Sequence, residues 1–409
     1  MKKEVNGKVS KIVALLLAVA MTVLTLTGCG STSTASPSAS PSAPASSAPA
    51  SAEASASAPE SAAPSAAPSA SAPSGPYYDK GASAESIVKD AAGKGAVGNW
   101  GLGNEYEIQA LLTKYGMPTT FLSQAFDMNG FDDDTIALAS AMTYNELGLV
   151  KNSYEGGYGY GDMADVIDMN DEGVAMLEDN IFCTSDFAKA NPNTVKAFLY
   201  ATLKGWADAV ADPDAAADIV FKYGSSVSGD HQKYMAGEVK KLVETDMKGN
   251  PVTSIGNIDD TALQQTLDLA KTYILLKDSA AADKLKALTL DDIRDNSYWA
   301  AASASTDGKF GAPEKTDITI QLKWLPQAQF MGYYVALDKG YYKEAGLNVT
   351  IVPGGGDISE TTAVNSGQVD FGVTWVSNLI AANAGGMSLT EVAQIFQRSG
   401  LVLVYKLNG

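Results

Sequence analysis

The chain has 409 residues, 29 Lys+Arg against 47 Asp+Glu, two Cys and one His. A formal net charge of −18 argues against nucleic-acid binding, which needs a basic face to neutralise phosphates. The Cys and His counts deny a Cys/His zinc site its ligands and a disulfide framework its partners.

Lys2, Lys3, Lys8 and Lys11 precede an apolar run from Ile12 to Leu26, followed by Thr27, Gly28 and Cys29. A basic start, a short hydrophobic segment and small residues before a cut describe an export signal over residues 1–28. The run is short for a membrane span. Leu26-Thr27-Gly28-Cys29 resembles the bacterial lipobox, which implies a lipidated Cys29 and a chain held on the extracytoplasmic face of the cell membrane. The alternative is an ordinary signal peptide that happens to end in Cys.

Eight of the sixteen prolines lie between Ser31 and Gly75, in a stretch made almost wholly of Ser, Ala and Pro. Such a composition buries no core and reads as a tether over residues 29–75. A flexible coil of that length spans roughly 35–40 Å. Everything from Pro76 onward is long enough for one large α/β unit or two lobes.

In the first folded half, Asn104 with Glu107 three residues on reads as a helix cap, and Ile108, Leu111, Leu112 and Tyr115 form one apolar face ended by Gly116. Asn191-Pro192 opens a helix carrying Val195, Phe198, Leu199, Thr202, Trp206 and Val210 on one side, and Asp212-Pro213 stops it and starts the next. From Asp317 the pattern is regular. Ile318–Leu322, Val349–Val352, Val369–Val373, Glu391–Phe396 and Leu401–Val404 read as strands, with helices over 330–345, 359–366 and 377–384 between them. Strands spaced by helices imply βαβ units and a mostly parallel sheet.

The segment Leu322-Lys-Trp-Leu-Pro-Gln-Ala-Gln-Phe330, with Gly332 to Leu347 after it, resembles the opening of a known family. That family is the thiamine-pyrimidine, riboflavin and sulfonate group of type II periplasmic substrate-binding proteins. Gly354–Asp357, Ser366–Gly372 and Gln394–Gly400 continue the resemblance in family order. The next motifs resemble Gly103–Glu107, Thr143–Glu146, Ala175–Asp179 and Asp295–Trp299, which precede the opening in this chain. The resemblance therefore implies a two-lobed periplasmic-binding-protein type II fold, α/β, in circularly permuted order, with mostly parallel sheets flanked by helices. Lobe two would be residues 76–181, the second part of lobe one 182–302, a junction linker 303–316, and the first part of lobe one with the first crossing strand 317–409. The crossings would lie near Ser399–Lys406 and Ile181–Ser185.

A cleft for a planar heterocycle needs aromatic faces and a few polar groups for its edges. Loops after parallel strands face such clefts. On that ground Trp324, Gln327, Gln329, Tyr333, Thr374 and Trp375 are candidates from lobe one, together with Gly355 and Asp357 of the Gly354–Asp357 turn. In relatives the Trp at the place of Trp324 contacts the ligand. From lobe two come Trp100, Asn104, Glu105, Tyr106, Tyr144, Asn145 and Glu146, with Thr143 beside them. For Asn104 and Glu107 helix capping is the preferred reading. Gly98–Gly103 lacks the spacing of a dinucleotide loop.

The resemblance implies a lipid-anchored, monomeric receptor that closes on a small aromatic heterocycle and hands it to an ABC permease and its ATPase, without catalysis, cofactor or metal. The alternative within the same superfamily is an enzyme resembling the fungal thiamine-pyrimidine synthases. Those carry a Cys-rich, iron-associated motif and a site His, where this chain has Met176–Thr184 with Cys183 alone and Gln329-Phe330 without a His. His231 is expected to be structural. A ligand sensor without a transporter is a third class.

Overall fold

The computed structural model describes residues 77–225 and 227–409; the export signal, Cys29 and the tether lie outside the described residues. Among the described residues ten strands follow in chain order: β1 (Val97–Asn99), β2 (Leu122–Ser123), β3 (Leu138–Met142), β4 (Ala164–Asp168), β5 (Asn180–Thr184), β6 (Asp317–Gln321), β7 (Asn348–Val352), β8 (Phe371–Thr374), β9 (Leu389–Gln394) and β10 (Leu401–Lys406). They form two five-stranded sheets, β2-β1-β3-β10-β4 and β7-β6-β8-β5-β9, each flanked by helices. An α/β fold of two lobes results.

Both sheets are mixed, which corrects the expectation of mostly parallel sheets. β1 pairs parallel with β2 and β3, and β6 pairs parallel with β7 and β8. The exceptions are the strands that arrive from the other lobe. β10 runs antiparallel to β3 and β4, and β5 antiparallel to β8 and β9. A strand delivered by a crossing enters the new sheet from its far end, so it pairs in the opposite sense. The chain changes lobe between β4 and β5 and between β9 and β10. Leu401–Val404 and Ile181–Thr184 are therefore sheet interior rather than crossing.

The core of the lobe containing β6 rests on the 20-residue helix Pro192–Ala211, which lies across helix Met331–Asp338. Gly205 and Gly332 sit at the contact. A Cβ on Gly205 would meet the Gly332 carbonyl and Ala336, and one on Gly332 would enter the Trp206 ring. Phe198 stacks on Phe371 at 4.2 Å and 13°, joining the helix to β8. Asp212 ends the long helix and accepts the Ala215 N–H to cap Pro213–Lys222. The 305–316 segment is docked: the Glu314 carboxylate accepts the N–H groups of Asn193 (3.0 Å) and Thr194 (2.9 Å), an anion at a helix N-terminus.

Helix Glu105–Lys114 is not capped as expected. The Asn104 side chain is buried and accepts from Asn99 Nδ2 at 3.3 Å, while Glu107 accepts the Met176 N–H at 2.8 Å. Both side chains turn inward because the helix start is covered by β1 and the 169–179 crossing. Tyr78 lies beside the last strand, donating its N–H to Lys406 O (3.0 Å) and accepting from the Asn408 N–H (2.9 Å). No helix among the described residues is long and apolar enough to cross a membrane.

Candidate functional site

Four loops meet between the lobes, each at the C-terminal end of a parallel-type strand, where clefts of such sheets form. β1 leads to Trp100 and Leu102, β3 to Tyr144, Asn145 and Glu146, β6 to Lys323, Trp324, Gln327 and Gln329, and β8 to Trp375. With Phe126 and Met142 these residues line a cavity of about 50 Å³. The lobes are closed on one another, and aromatic rings fill most of the space. Trp324 and Phe126, from opposite lobes, meet edge to face with ring centroids 5.1 Å apart.

Of the residues expected at the site, Trp324, Gln327, Gln329, Trp375, Trp100, Tyr144, Asn145 and Glu146 are brought together on this wall. The others are placed elsewhere. Tyr333 points into the core against Trp206, with ring centroids 5.6 Å apart and its hydroxyl unpartnered. Its helix turns that face toward Pro192–Ala211. Thr374 is fully buried behind the wall, bonded to Glu360. Gly355 and Asp357 belong to an outer turn, where Asp357 is exposed. Asn104 serves the buried network of Asn99, and Glu105 accepts the Gly103 N–H at 2.7 Å. Tyr106 packs into the apolar cluster of Met176, Leu177 and Val376.

Sequence reasoning missed Lys323, Phe126, Leu102 and Met142 on the wall, and Asp179 behind it. Lys323 stood inside the segment that located Trp324, so position alone could have flagged it. Its ammonium group is nearly inaccessible, 3.4 Å from Glu360 and 4.5 Å above the Trp375 ring. Asp179, on the 169–179 crossing, accepts a 2.8 Å hydrogen bond from Gln329. Burial pushes its carboxyl up to about 7, against the opposing effects of Gln329, the Lys323 charge and the Trp375 N–H. Asp179 Oδ1 and Trp375 Nε1 are both buried, and neither reaches hydrogen-bond geometry with any described group.

On the opposite lobe Glu146 accepts the Met142 N–H (2.9 Å) and the Asn145 amide (2.8 Å). Burial raises its pKa, and these bonds partly offset the rise. Asn145 is itself fixed by His231 Nε2 at 2.8 Å, and Tyr154 holds the other ring nitrogen at 2.6 Å. Burial lowers the His231 pKa to about 4, so the ring is neutral at pH 7 and stands one bond behind the cleft.

An iron site of the fungal type is not matched by the residues at Met176–Thr184. Cys183 lies fully buried on β5, burial pushes its thiol up, and no group of three or more His, Cys, Asp or Glu converges to hold a metal among the described residues.

A closed two-lobed α/β protein with an aromatic cleft at the strand ends is the class that fold and site define. The chain belongs to the NMT1/THI5-like family, whose profile matches residues 69–216 and 327–409, more than half of its length. It is similar to the 4-amino-5-hydroxymethyl-2-methylpyrimidine phosphate synthases THI11 and THI5 of Saccharomyces cerevisiae, 32% identical over 88 residues in each case, covering 22% of this chain and 26% of the relative. The synthase of the same name from Candida albicans is 31% identical over 78 residues, covering 19% and 23%. The chain thus spans about a quarter of the length of these curated relatives. No solved structure matches. These relatives correct two expectations: the reading as a dedicated solute receptor for an importer, and the reading as a protein without enzymatic activity. Each named relative is a synthase, and the enzyme alternative is the one the similarity favours.

Proposed function

We propose that the interlobe cleft is the active site of an enzyme of the pyrimidine-phosphate synthase kind, which handles a 4-aminopyrimidine-type ring between the aromatic walls of Trp100, Phe126, Trp324 and Trp375. The observation that carries this reading is Asp179. A carboxyl set near neutrality by burial, one hydrogen bond behind a closed aromatic cleft, suits general acid–base work at pH 7. Lobe closure excludes water, and Asn145, Glu146, Gln327 and Gln329 on the wall offer polar groups for ring-edge atoms. The similarity to the yeast synthases supports the same substrate class. The test is complementation of a host unable to make the thiamine pyrimidine, with mass spectrometry of the pyrimidine phosphate. Rescue by the wild-type chain and none by Asp179→Asn is expected; no rescue and no pyrimidine phosphate from the wild type would overturn the assignment.

Two further elements belong to this reading. Residues 1–28 direct export and Cys29 carries the lipid, so the enzyme works tethered to a membrane surface; detergent phase separation that leaves both wild type and Cys29→Ala in water would reject this. The chain order is a circular permutation closed within one molecule. Support comes from β5, which lies between β8 and β9 although it precedes them by nearly 200 residues, from the docked 305–316 junction, and from Tyr78 beside Leu407. A rearranged chain with 317–409 placed ahead of 77–302 should fold and bind the same ring. An unfolded product would count against the permutation.

A further inference from the structure

Between β1 and helix Glu105–Lys114 three consecutive residues have left-handed backbone: Gly101 (φ 84°), Leu102 (φ 70°) and Gly103 (φ 112°). Two are glycines, for which the region is open; Leu102 is not, and its side chain lines the cleft. A non-glycine residue held there persists only when its surroundings over-determine it. The surroundings come from both lobes. On the side of β1, Asn99 Oδ1 accepts the Gly101 N–H (2.7 Å) and Glu105 accepts the Gly103 N–H (2.7 Å). On the side of β8, the carbonyls are held instead. Asn378 Nδ2 donates to Leu102 O at 3.1 Å, Lys323 Nζ lies 3.4 Å from the same oxygen, and Ser377 Oγ donates to Gly103 O at 2.6 Å. A Cβ on Gly103 would stand 2.5 Å from Asn378 Oδ1 and 2.9 Å from Ser377 Oγ, so the close approach requires glycine.

We propose that Gly101–Gly103 is the latch of the cleft: the Gly101 and Gly103 amides are tied to one lobe, the Leu102 and Gly103 carbonyls to the other, and Ser377, Asn378 and Lys323 are positioning residues that hold it shut. Closing fixes Trp100, one residue before the latch, as a wall of the cavity, and Lys323 joins the latch to the Trp375 wall. Loss of the carbonyl donors removes the bonds that join the lobes at this point, so the latch then opens more readily. An open cleft then lets product leave.

The test uses the full chain. Hydrogen exchange of the Gly101–Gly103 amides is measured without ligand, and release of 4-amino-5-hydroxymethyl-2-methylpyrimidine is followed by tryptophan fluorescence. The release measurement rests on the proposed function of the cleft; the exchange measurement does not. In Ser377→Ala/Asn378→Ala, exchange and release should each rise about tenfold with an unchanged melting temperature. Asn378→Asp, which keeps the shape and removes the donor, should move both in the same direction. Leu102→Gly, which removes the strained residue, should slow exchange at the latch. Unchanged exchange in folded donor variants would overturn the latch. If the wild type binds no pyrimidine, the cleft assignment fails, and the exchange rates alone decide the latch.

Discussion

Gln329 donates a 2.8 Å hydrogen bond to Asp179, joining the loop after β6 to the crossing that leads into β5. One partner lines the cleft and the other lies behind it, on a segment that passes between lobes. Ring contact, acid–base capacity and lobe position are thereby linked through one bond. Wild-type turnover should change with pH near 7, and Asp179→Asn should lose turnover across that range while ring binding is retained, because the amide keeps an acceptor but releases no proton. An unaltered pH–rate profile would show that another group titrates.

Trp324→Ala removes a cleft wall and its edge contact with Phe126. Binding of the pyrimidine should weaken by about 1–3 kcal/mol, the scale of a lost aromatic stack, with far-UV dichroism unchanged. Titration calorimetry reads the difference directly, and equal affinity in a folded variant would remove Trp324 from the site.

Glu391 is fully buried on β9, and neither of its carboxylate oxygens has a partner among the described groups. Burial moves its pKa from 4.5 up to about 8, with Asn180 and Arg294 opposing the rise. Between those values the native state keeps a proton that the unfolded chain has released. Its contribution to stability therefore falls as pH rises from about 4.5 to about 8. Glu391→Gln should flatten the decline of melting temperature across this window and stabilise the protein at pH 8 by at least about 1 kcal/mol. A parallel pH profile in the variant would place the decline on other carboxyls, such as Glu107.

Gly205→Ala should destabilise the fold by about 1–3 kcal/mol or more, because the new methyl meets backbone atoms of Met331–Asp338 that cannot step aside. Denaturant unfolding checks it. A cost near zero would mean that the two helices slide apart without loss.

The strand alternation of Ile318–Leu322 was readable locally, since period acts within a few residues. The same held for Trp324 and Trp375: each follows a strand, and in an α/β sheet that position alone sends a side chain to the cleft. Tyr333 misled because neighbourhood in sequence is not neighbourhood on a helix surface; its ring follows the helical face toward Trp206. Asp179, Lys323 and the latch were illegible for a different reason. The buried carboxyl of Asp179, the inaccessible counter-ion of Lys323 and the cross-lobe grip on Leu102 each depend on groups between 37 and 276 residues away. Likewise β5 and β10 are strands by composition, but which sheet receives each, and in which sense, was decided where the chain crosses between lobes. Local propensity chooses the element; long-range packing and desolvation assign its partners, its charge state and so its chemistry.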